Sequence, residues 1–284
     1  MIVRTPGLTL ILCLLAGTLH AQMMRPFSTF RQLHGETRLT ARLEYGAGTL
    51  RVEPGEPGQL YRMILSYDEE RFLPVSEYDA ASRTVVLGLQ SRGDGGVRVV
   101  SRNQLRQAAT ISISPRVDLS LHLNLGAVDA NLELGGLRIS ELDMGTGASQ
   151  TTIRFSQPNP MRCRRASLSA GAAEVTVLGL GNSRCEEILY EGGVGKVVLD
   201  FSGASSTSAR VKVKMTVGGI TLRLPARAGV SIKMDKFLSS FESERLMRRG
   251  TGFVSANYDR AERRLEFDLT TAVGGVDVEW VEGE

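Results

Sequence analysis

The residues with the most distinctive chemistry in this chain are two cysteines, Cys163 and Cys185, which lie 22 residues apart. Each precedes a glycine, Gly171 or Gly193, by eight residues. If the glycines mark equivalent points on stacked strands, the cysteines lie side by side at about 4.8 Å, the spacing of paired strands. Bridged cysteines usually have Cα atoms about 4.4–6.8 Å apart. The spacing therefore predicts a Cys163–Cys185 disulfide, with two free thiols as the alternative.

Other reactive residues are present, but in no arrangement typical of catalysis or metal binding. His34 and His122 are far apart in the sequence, and with the cysteines they match no zinc-type ligand spacing. No serine or cysteine occupies a nucleophile-elbow sequence. Gly179–Gly181 follows an apolar run but opens no helical pattern, which argues against a phosphate-binding loop. We therefore predict no catalytic residues, no cofactor-binding residues and no metal ligands.

Four acidic residues leave an enzyme open as an alternative. Glycoside hydrolysis uses two carboxyl groups about 5–10 Å apart, and neighbouring coils of a stack can bring acids to that distance. The same spacing arises by chance on the polar face of any stack of strands. We therefore expect a non-enzymatic protein, with a polysaccharide-active enzyme as the alternative. The acids in question are Asp118, Asp129, Asp143 and Asp200.

The pattern that must position these residues is a recurring glycine followed by alternating apolar residues. From Gly126 to Gly218 the successive glycines lie 21, 24, 22 and 25 residues apart. A period in this range is typical of repeat proteins, in which each unit buries its apolar face against its neighbours. The sequence predicts an all-β fold, a β-solenoid of short stacked strands. The phrase begins at Gly46, Gly126, Gly147, Gly171, Gly193, Gly218 and Gly274.

Strand signals dominate the rest of the chain, and the regular repeat runs from Ala109 to Trp280. Val211–Val217 alternates apolar residues with lysine and threonine, the pattern of a half-buried strand. Only Ser239–Arg249 has helix-friendly composition, and it is expected to be a short helix or an ordered loop. It lies in the gap between Gly218 and Gly274, an irregular coil with Phe237, Phe241, Phe253 and Tyr258 as expected apolar anchors.

The first residues have the pattern of a secretory signal peptide. Arg4 precedes an apolar core at Leu8–Ala16, and Ala21 suits the last position before a cleavage site. We predict a signal peptide over residues 1–21, which removes Cys13, and an exported mature protein. The apolar core is shorter than the run of about 20 residues that spans a bilayer. An uncleaved anchor is the alternative.

The remaining chain is expected to form two lobes. Residues 30–90 are predicted to be an N-terminal β lobe, residues 91–107 a polar connector, and residues 109–284 the repeat β-solenoid. The connector is rich in glycine and polar residues, as loops are. It contains Arg92-Gly93-Asp94, a tripeptide that animal receptors recognise, but so short a match arises easily by chance.

The charge balance argues against nucleic-acid binding. The full sequence has a net charge of +3, whereas nucleic-acid-binding surfaces carry clustered lysine and arginine. The locally basic run Arg162–Arg165 is interpreted as a solvated edge. No later segment approaches the length of a membrane span, so no stable span is expected.

Two stretches resemble the bacterial toast-rack family. Leu43–Val52 reads LEYGAGTLRV, and Gly252–Trp280 ends in an NYD motif and a GGV motif. This family includes a domain of cell-wall-active antibiotic response proteins and neighbouring adhesin-like repeats. The resemblance implies a β-helix-like stack and a cell-envelope setting, and it supplies no catalytic residues. The chain lacks the transmembrane helices of the membrane-bound members, so their sensor-kinase partnership is not carried over.

These observations predict an exported, non-catalytic β-solenoid of the bacterial cell envelope, periplasmic or at the cell surface. It would act as a binding or scaffold module for an envelope protein or polymer. Besides the enzyme, the alternative is a structural component that self-associates end to end through its open strand edges.

Overall fold

The protein was analysed as a computed structural model that describes residues 24–92, 106–204, 207–242 and 244–282. Within these ranges the chain forms sixteen strands and one four-residue helix, which confirms the prediction of an all-β fold. None of the helical structure in these ranges is long and apolar enough to cross a membrane. The predicted signal peptide, most of the predicted connector, and Gly93 and Asp94 lie outside the described residues.

The strands fall into short ones and long ones. Their bounds are β1 Met24–Gln32, β2 Arg38–Pro54, β3 Gln59–Asp68, β4 Phe72–Asp79, β5 Thr84–Ser91, β6 Ala108–Ile113, β7 Asp118–Glu133, β8 Arg138–Thr146, β9 Gln150–Arg154, β10 Cys163–Leu178, β11 Cys185–Asp200, β12 Ala209–Pro225, β13 Gly229–Glu242, β14 Leu246–Arg249, β15 Gly252–Ser255 and β16 Arg264–Val281, with helix α1 at Leu180–Ser183.

The long strands pair side by side in parallel, and we call this set the parallel ladder. In spatial order it contains β2, β7, the short pair β8 and β9, then β10, β11, β12, β16 and β13. Strands β5 and β6 extend it in parallel beyond β2. Antiparallel strands cover the two ends, with β4 on β5, β3 and β1 on β6, and the hairpin β14–β15 on β13.

Chain order is not kept at the C-terminal end of the ladder. Strand β16 comes last in the sequence but lies between β12 and β13, so that both of its edges are paired. Gly218 and Gly274, the last two glycines of the predicted repeat, are direct partners in this pairing. Leu265, Phe267 and Leu269 of β16 are buried in the core.

The long strands other than β13 bend at glycines, and the core lies inside the bend. Alternate residues on both sides of the bend, such as Leu121 and Leu132 of β7, are fully buried in one continuous apolar cluster. Since side chains alternate between the faces of a strand, the intervening residues form an outer face. That outer face is mostly polar, apart from an exposed row of valines, Val194, Val217 and Val273, near the bend.

The recurring glycines occupy two positions of the bend instead of the single repeat position predicted. A Cβ atom on Gly193 would meet the carbonyl oxygen of Gly171 on the neighbouring strand, 2.6 Å away. Between β11 and β12, the next pair of strands, the position that requires glycine lies two residues further along β11. Gly195, and not Gly193, is therefore opposite Gly218. Gly218 has φ near +142° and stacks on the Gly195 carbonyl. Only glycine combines that backbone conformation with such close approach.

The segment expected to be a short helix or ordered loop is extended instead. Residues 239–242 complete β13, and Leu246–Arg249 form β14. Pairing with β16 and β15 overrides the local helix preference. Of the expected apolar anchors, Phe241 and Phe253 pack with ring centres 4.9 Å apart.

Candidate functional site

The outer face of the C-terminal strands carries rows of charged side chains. Because the strands are parallel and in register, one outward residue per strand aligns across the ladder. One row reads Arg165, Glu187, Arg210 and Glu266 on β10, β11, β12 and β16. The next row, two residues further along, includes Lys212, Asp268 and Lys233.

These rows border two adjoining depressions that together we call the C-terminal groove. The depressions have volumes of about 530 and 580 Å³ and share Arg210 and Glu266. Their walls hold seven basic and four acidic side chains. The charged wall residues are Arg162, Arg165, Arg184, Arg210, Lys212, Lys233, Arg264, Glu186, Glu187, Glu266 and Asp268.

A loop between β15 and β16 forms one wall of this groove. Asn257 anchors the loop, because its side-chain amide donates to the carbonyls of Arg227 at 3.1 Å and Ala228 at 3.2 Å. Tyr258 then reaches the groove, where its hydroxyl donates to Glu266 at 3.0 Å. Burial, with the hydrogen bond and charge of Glu266, raises the pKa of Tyr258. Its hydroxyl therefore stays protonated at neutral pH.

The basic side chains of the groove differ in how they are compensated. Arg165 pairs with Glu187 at 3.2 Å. In contrast, Arg210, Lys212 and Lys233 form no ion pair with any acidic side chain of the described ranges. Two of these exposed cations are on β12 and one is on β13, with β16 between the two strands. With seven basic and four acidic side chains, the groove has a net positive charge.

The two cysteines form a disulfide at the edge of the groove. Cys163 and Cys185 are direct partners in the β10–β11 ladder, with an S–S distance of 2.00 Å and Cα atoms 4.1 Å apart. The residues preceding them, Arg162 and Arg184, both line the groove. Arg184 has a left-handed backbone with φ of 56°, an irregularity that ends the turn just before the bridge. The disulfide thus fixes two groove arginines on neighbouring strands.

The basic run Arg162–Arg165, interpreted from the sequence as a solvated edge, contributes directly to this groove. Arg162 lies 3.6 Å from Glu186, and Arg165 is the partner of Glu187. Sequence reasoning missed Arg210, Lys212 and Lys233 as a site, although the alternation of lysine with valine around 212 was visible. Tyr258 was expected to be an apolar anchor, and its place on the groove wall beside Glu266 did not follow from the sequence.

A second depression lies on the same outer face over the N-terminal strands, and we call it the N-terminal groove. Its volume is about 450 Å³. Arg38, Arg83 and Asp118 are its charged residues, and hydroxyl side chains from Thr40, Ser82, Ser120 and Ser140 supply the rest of its polar wall. Asp118 is paired with Arg138 at 2.8 Å.

The four acids considered for glycoside cleavage do not come together. Asp118 is opposite Arg138 and Asp143 is opposite His122, four positions further along β7. Asp129 is opposite Gln150 beyond the bend, and Asp200 is opposite Arg223 at the far end of β11. Four residues of strand extend about 13 Å, beyond the carboxyl separation that glycosidases use. No two of these four acids are direct partners.

The histidines are equally separate. His34 contacts the Gln32 carbonyl through Nδ1 at 2.9 Å, and His122 lies 3.7 Å from Asp143. The described part of the chain contains no group of three or more histidine, cysteine or acidic side chains that could hold a metal ion.

Comparison with known families identifies the fold. Residues 25–178, more than half of the chain, match the family described as the N-terminal domain of toast_rack, DUF2154. The chain belongs to the toast-rack family. No curated protein matches it. The family match ends within β10, so the C-terminal groove lies mainly beyond it.

One solved structure with low sequence identity shares the fold, and others are similar to a lesser degree. A crystal structure of a candidate cell adhesion protein from Clostridium sporogenes is 16% identical with a TM-score of 0.51, covering 91% of this chain and 100% of the other. A candidate adhesin from Bacteroides fragilis is 10% identical with a TM-score of 0.35, covering 90% and 98% of the two chains. A candidate lipid binding protein from Parabacteroides distasonis is 9% identical with a TM-score of 0.39, covering 90% and 97%. The similarity to the Clostridium sporogenes protein is a similarity of fold alone.

Proposed function

We propose that this toast-rack protein is an exported, non-catalytic binding module of the bacterial cell envelope. The observation that carries the proposal is the C-terminal groove, an extended ionic surface in which Arg210, Lys212 and Lys233 have no acidic partner among the described residues. A surface of this kind suits contact with an extended ligand. The scattered positions of the four candidate acids favour binding over glycan cleavage.

The proposal includes a β-solenoid architecture and two regions in the mature chain. Register offsets of 22 residues between β10 and β11 and 23 between β11 and β12 support a coil of nearly constant length. We keep residues 30–90 as an N-terminal β lobe and residues 109–284 as the repeat region. Limited proteolysis should cut first within residues 91–107, and a first cut elsewhere would remove this division.

Export is supported by the disulfide and by the leader sequence. Disulfides persist in oxidising compartments such as the periplasm and the cell surface, and the Cys163–Cys185 bridge fits that setting. Expression of the full chain followed by fractionation should recover a mature protein that begins at Gln22. Recovery of a chain that still begins at Met1 from the cytosol would contradict export.

Binding and catalysis are separated by one experiment. Mature protein is mixed with isolated envelope from the source bacterium, and both sedimentation of the protein and release of soluble sugar are measured. The proposal expects saturable co-sedimentation without sugar release. Release of reducing ends that continues with time would establish the polysaccharide-active alternative.

End-to-end assembly is a second candidate function, favoured by one edge of the ladder. Strand β15 covers β13 only at Ser231–Lys233, so the backbone of residues 234–242 pairs with β16 on one side alone among the described strands. Light scattering over a range of concentrations tests it. Growth of oligomers would support assembly, and a constant monomer mass would reject it.

A further inference from the structure

We propose that the C-terminal groove binds a segment of an acidic polysaccharide, with sugar carboxylates held by Arg210, Lys212 and Lys233. This deepens the binding function proposed above and rests on it. The ligand class is a glycan that carries both carboxylate and hydroxyl groups.

The first argument is the charge of the groove. Arg210 and Lys212 are exposed neighbours on the same face of β12. Lys212 and Lys233 are the register partners of Asp268 on the two adjacent strands, and neither lysine forms an ion pair with it. An anionic ligand group placed here would gain several charge-assisted hydrogen bonds and would relieve repulsion among the cations.

The length of the C-terminal groove favours a polymer over a small anion. The groove wall is built from β10, β11, β12, β16 and β13, which are consecutive in the ladder. Four strand spacings correspond to about 19 Å. A single small anion would use only part of this distance, whereas a short run of sugar residues would extend along it. The open shape of the groove, with exposed side chains on its walls, suits an extended polymer.

The acidic and apolar groups of the groove favour a glycan over an acidic peptide. Glu187, Glu266 and Asp268 lie in the same groove as the cations. Carboxylates of this kind accept hydrogen bonds from sugar hydroxyls, donors that the side chains of an acidic peptide lack. The half-buried side chains of Tyr258 and Leu189 add a small apolar surface that the C–H face of a sugar ring can contact. The mixture of groups therefore matches an acidic glycan better than an acidic peptide.

The test is a titration of purified mature protein with oligogalacturonate, with its fully methyl-esterified form and with poly-glutamate of similar length. The double variant Lys212→Gln/Lys233→Gln removes two exposed groove cations. The matched control Arg38→Gln/Arg83→Gln removes two exposed cations from the N-terminal groove. Because two cations that contact the ligand are lost together, the groove variant should lose affinity for oligogalacturonate by about tenfold. The control should change by less than about twofold.

Several results would overturn the proposal. They are equal affinity for the methyl ester, tighter binding of poly-glutamate, an equal loss in both double variants, or no binding of oligogalacturonate at all. Circular dichroism and thermal unfolding of each variant establish that the fold is retained. If the groove variant still co-sediments with isolated envelope like the unmodified protein, the glycan proposal fails while the general binding function stands.

Discussion

The two grooves lie on the same outer face of one ladder, yet their chemistry differs. The N-terminal groove has four hydroxyl side chains and three charged residues, and its acid, Asp118, is neutralised by Arg138 at 2.8 Å. The C-terminal groove has eleven charged residues, and Arg210, Lys212 and Lys233 lack acidic partners in the described chain. Arg38 and Arg83 of the N-terminal groove likewise form no ion pair within the described chain, so the two grooves differ in how densely charge is packed: the same backbone pattern supports a small, hydroxyl-rich surface at one end and a surface rich in charged groups at the other. The difference is carried by outward side chains that the core does not constrain.

The largest expected effect on stability comes from disrupting the glycine bend of β12, a strand that forms part of the C-terminal groove. Gly218→Ala places a Cβ atom against the Gly195 carbonyl at a φ of +142°. We expect a loss of about 2–4 kcal/mol in the free energy of unfolding, measured by urea denaturation. Gly58→Ala is the control, since nothing lies within 4 Å of its added Cβ atom. Similar midpoints for the two variants would contradict the account of the bend.

The second effect comes from the Cys163–Cys185 disulfide, which fixes Arg162 and Arg184 at the C-terminal groove. A loop of 22 residues predicts a stabilisation of about 3 kcal/mol in the chain-entropy model. We expect Cys163→Ala/Cys185→Ala to lower the free energy of unfolding by that amount. The unmodified protein should lose as much upon reduction, and the variant should be insensitive to reductant. If reductant also lowered the free energy of unfolding of the variant, the loss in the unmodified protein could not be attributed to the disulfide.

The third effect tests whether the loop between β15 and β16, which carries Tyr258, contributes to the groove. Asn257→Ala removes the donors to the Arg227 and Ala228 carbonyls and should cost about 1–3 kcal/mol. It should also weaken oligogalacturonate binding, because Tyr258 loses its anchored position. Asn131→Ala, at an exposed position of β7, is the matched control in thermal unfolding and titration. Retention of full affinity by Asn257→Ala would exclude the loop from the site.

The smallest effect is expected in the N-terminal groove. Arg138→Gln breaks the pair with Asp118, but both side chains are more than one-third exposed. Exposed pairs contribute about 0–1 kcal/mol and are screened by salt. We expect a shift in stability of less than about 1 kcal/mol that disappears at high salt, with no change in glycan affinity. A loss of stability that is independent of salt would show that the Arg138–Asp118 pair is more than a screened surface ion pair.

The all-β fold and the disulfide could be predicted from the sequence because both depend on spacing. Alternating leucines and valines determine which strand face is buried, and equal coil lengths bring Cys163 opposite Cys185. The insertion of β16 between β12 and β13 could not be predicted, because any strand of the ladder has the same alternation. Placement between two strands depends on long-range pairing, which leaves no local signal.

The candidate site was less predictable than the fold. Arg162 and Arg165 were noticed as a basic run, but their partners Glu186 and Glu187 are 22 to 24 residues away and align only through register. Tyr258 reaches Glu266 through a turn held by Asn257. Neither contact follows from composition, since a polar outer face is compatible with many arrangements of charge.

The central claim is that the C-terminal groove, and not the N-terminal groove, is the binding face. An NMR titration of ¹⁵N-labelled mature protein with oligogalacturonate tests it most directly. The account predicts saturable amide shifts around Arg210, Lys212, Lys233 and Tyr258, with the amides of Arg38 and Arg83 unchanged. Shifts centred on Arg38 and Arg83, or none at either groove, would contradict it.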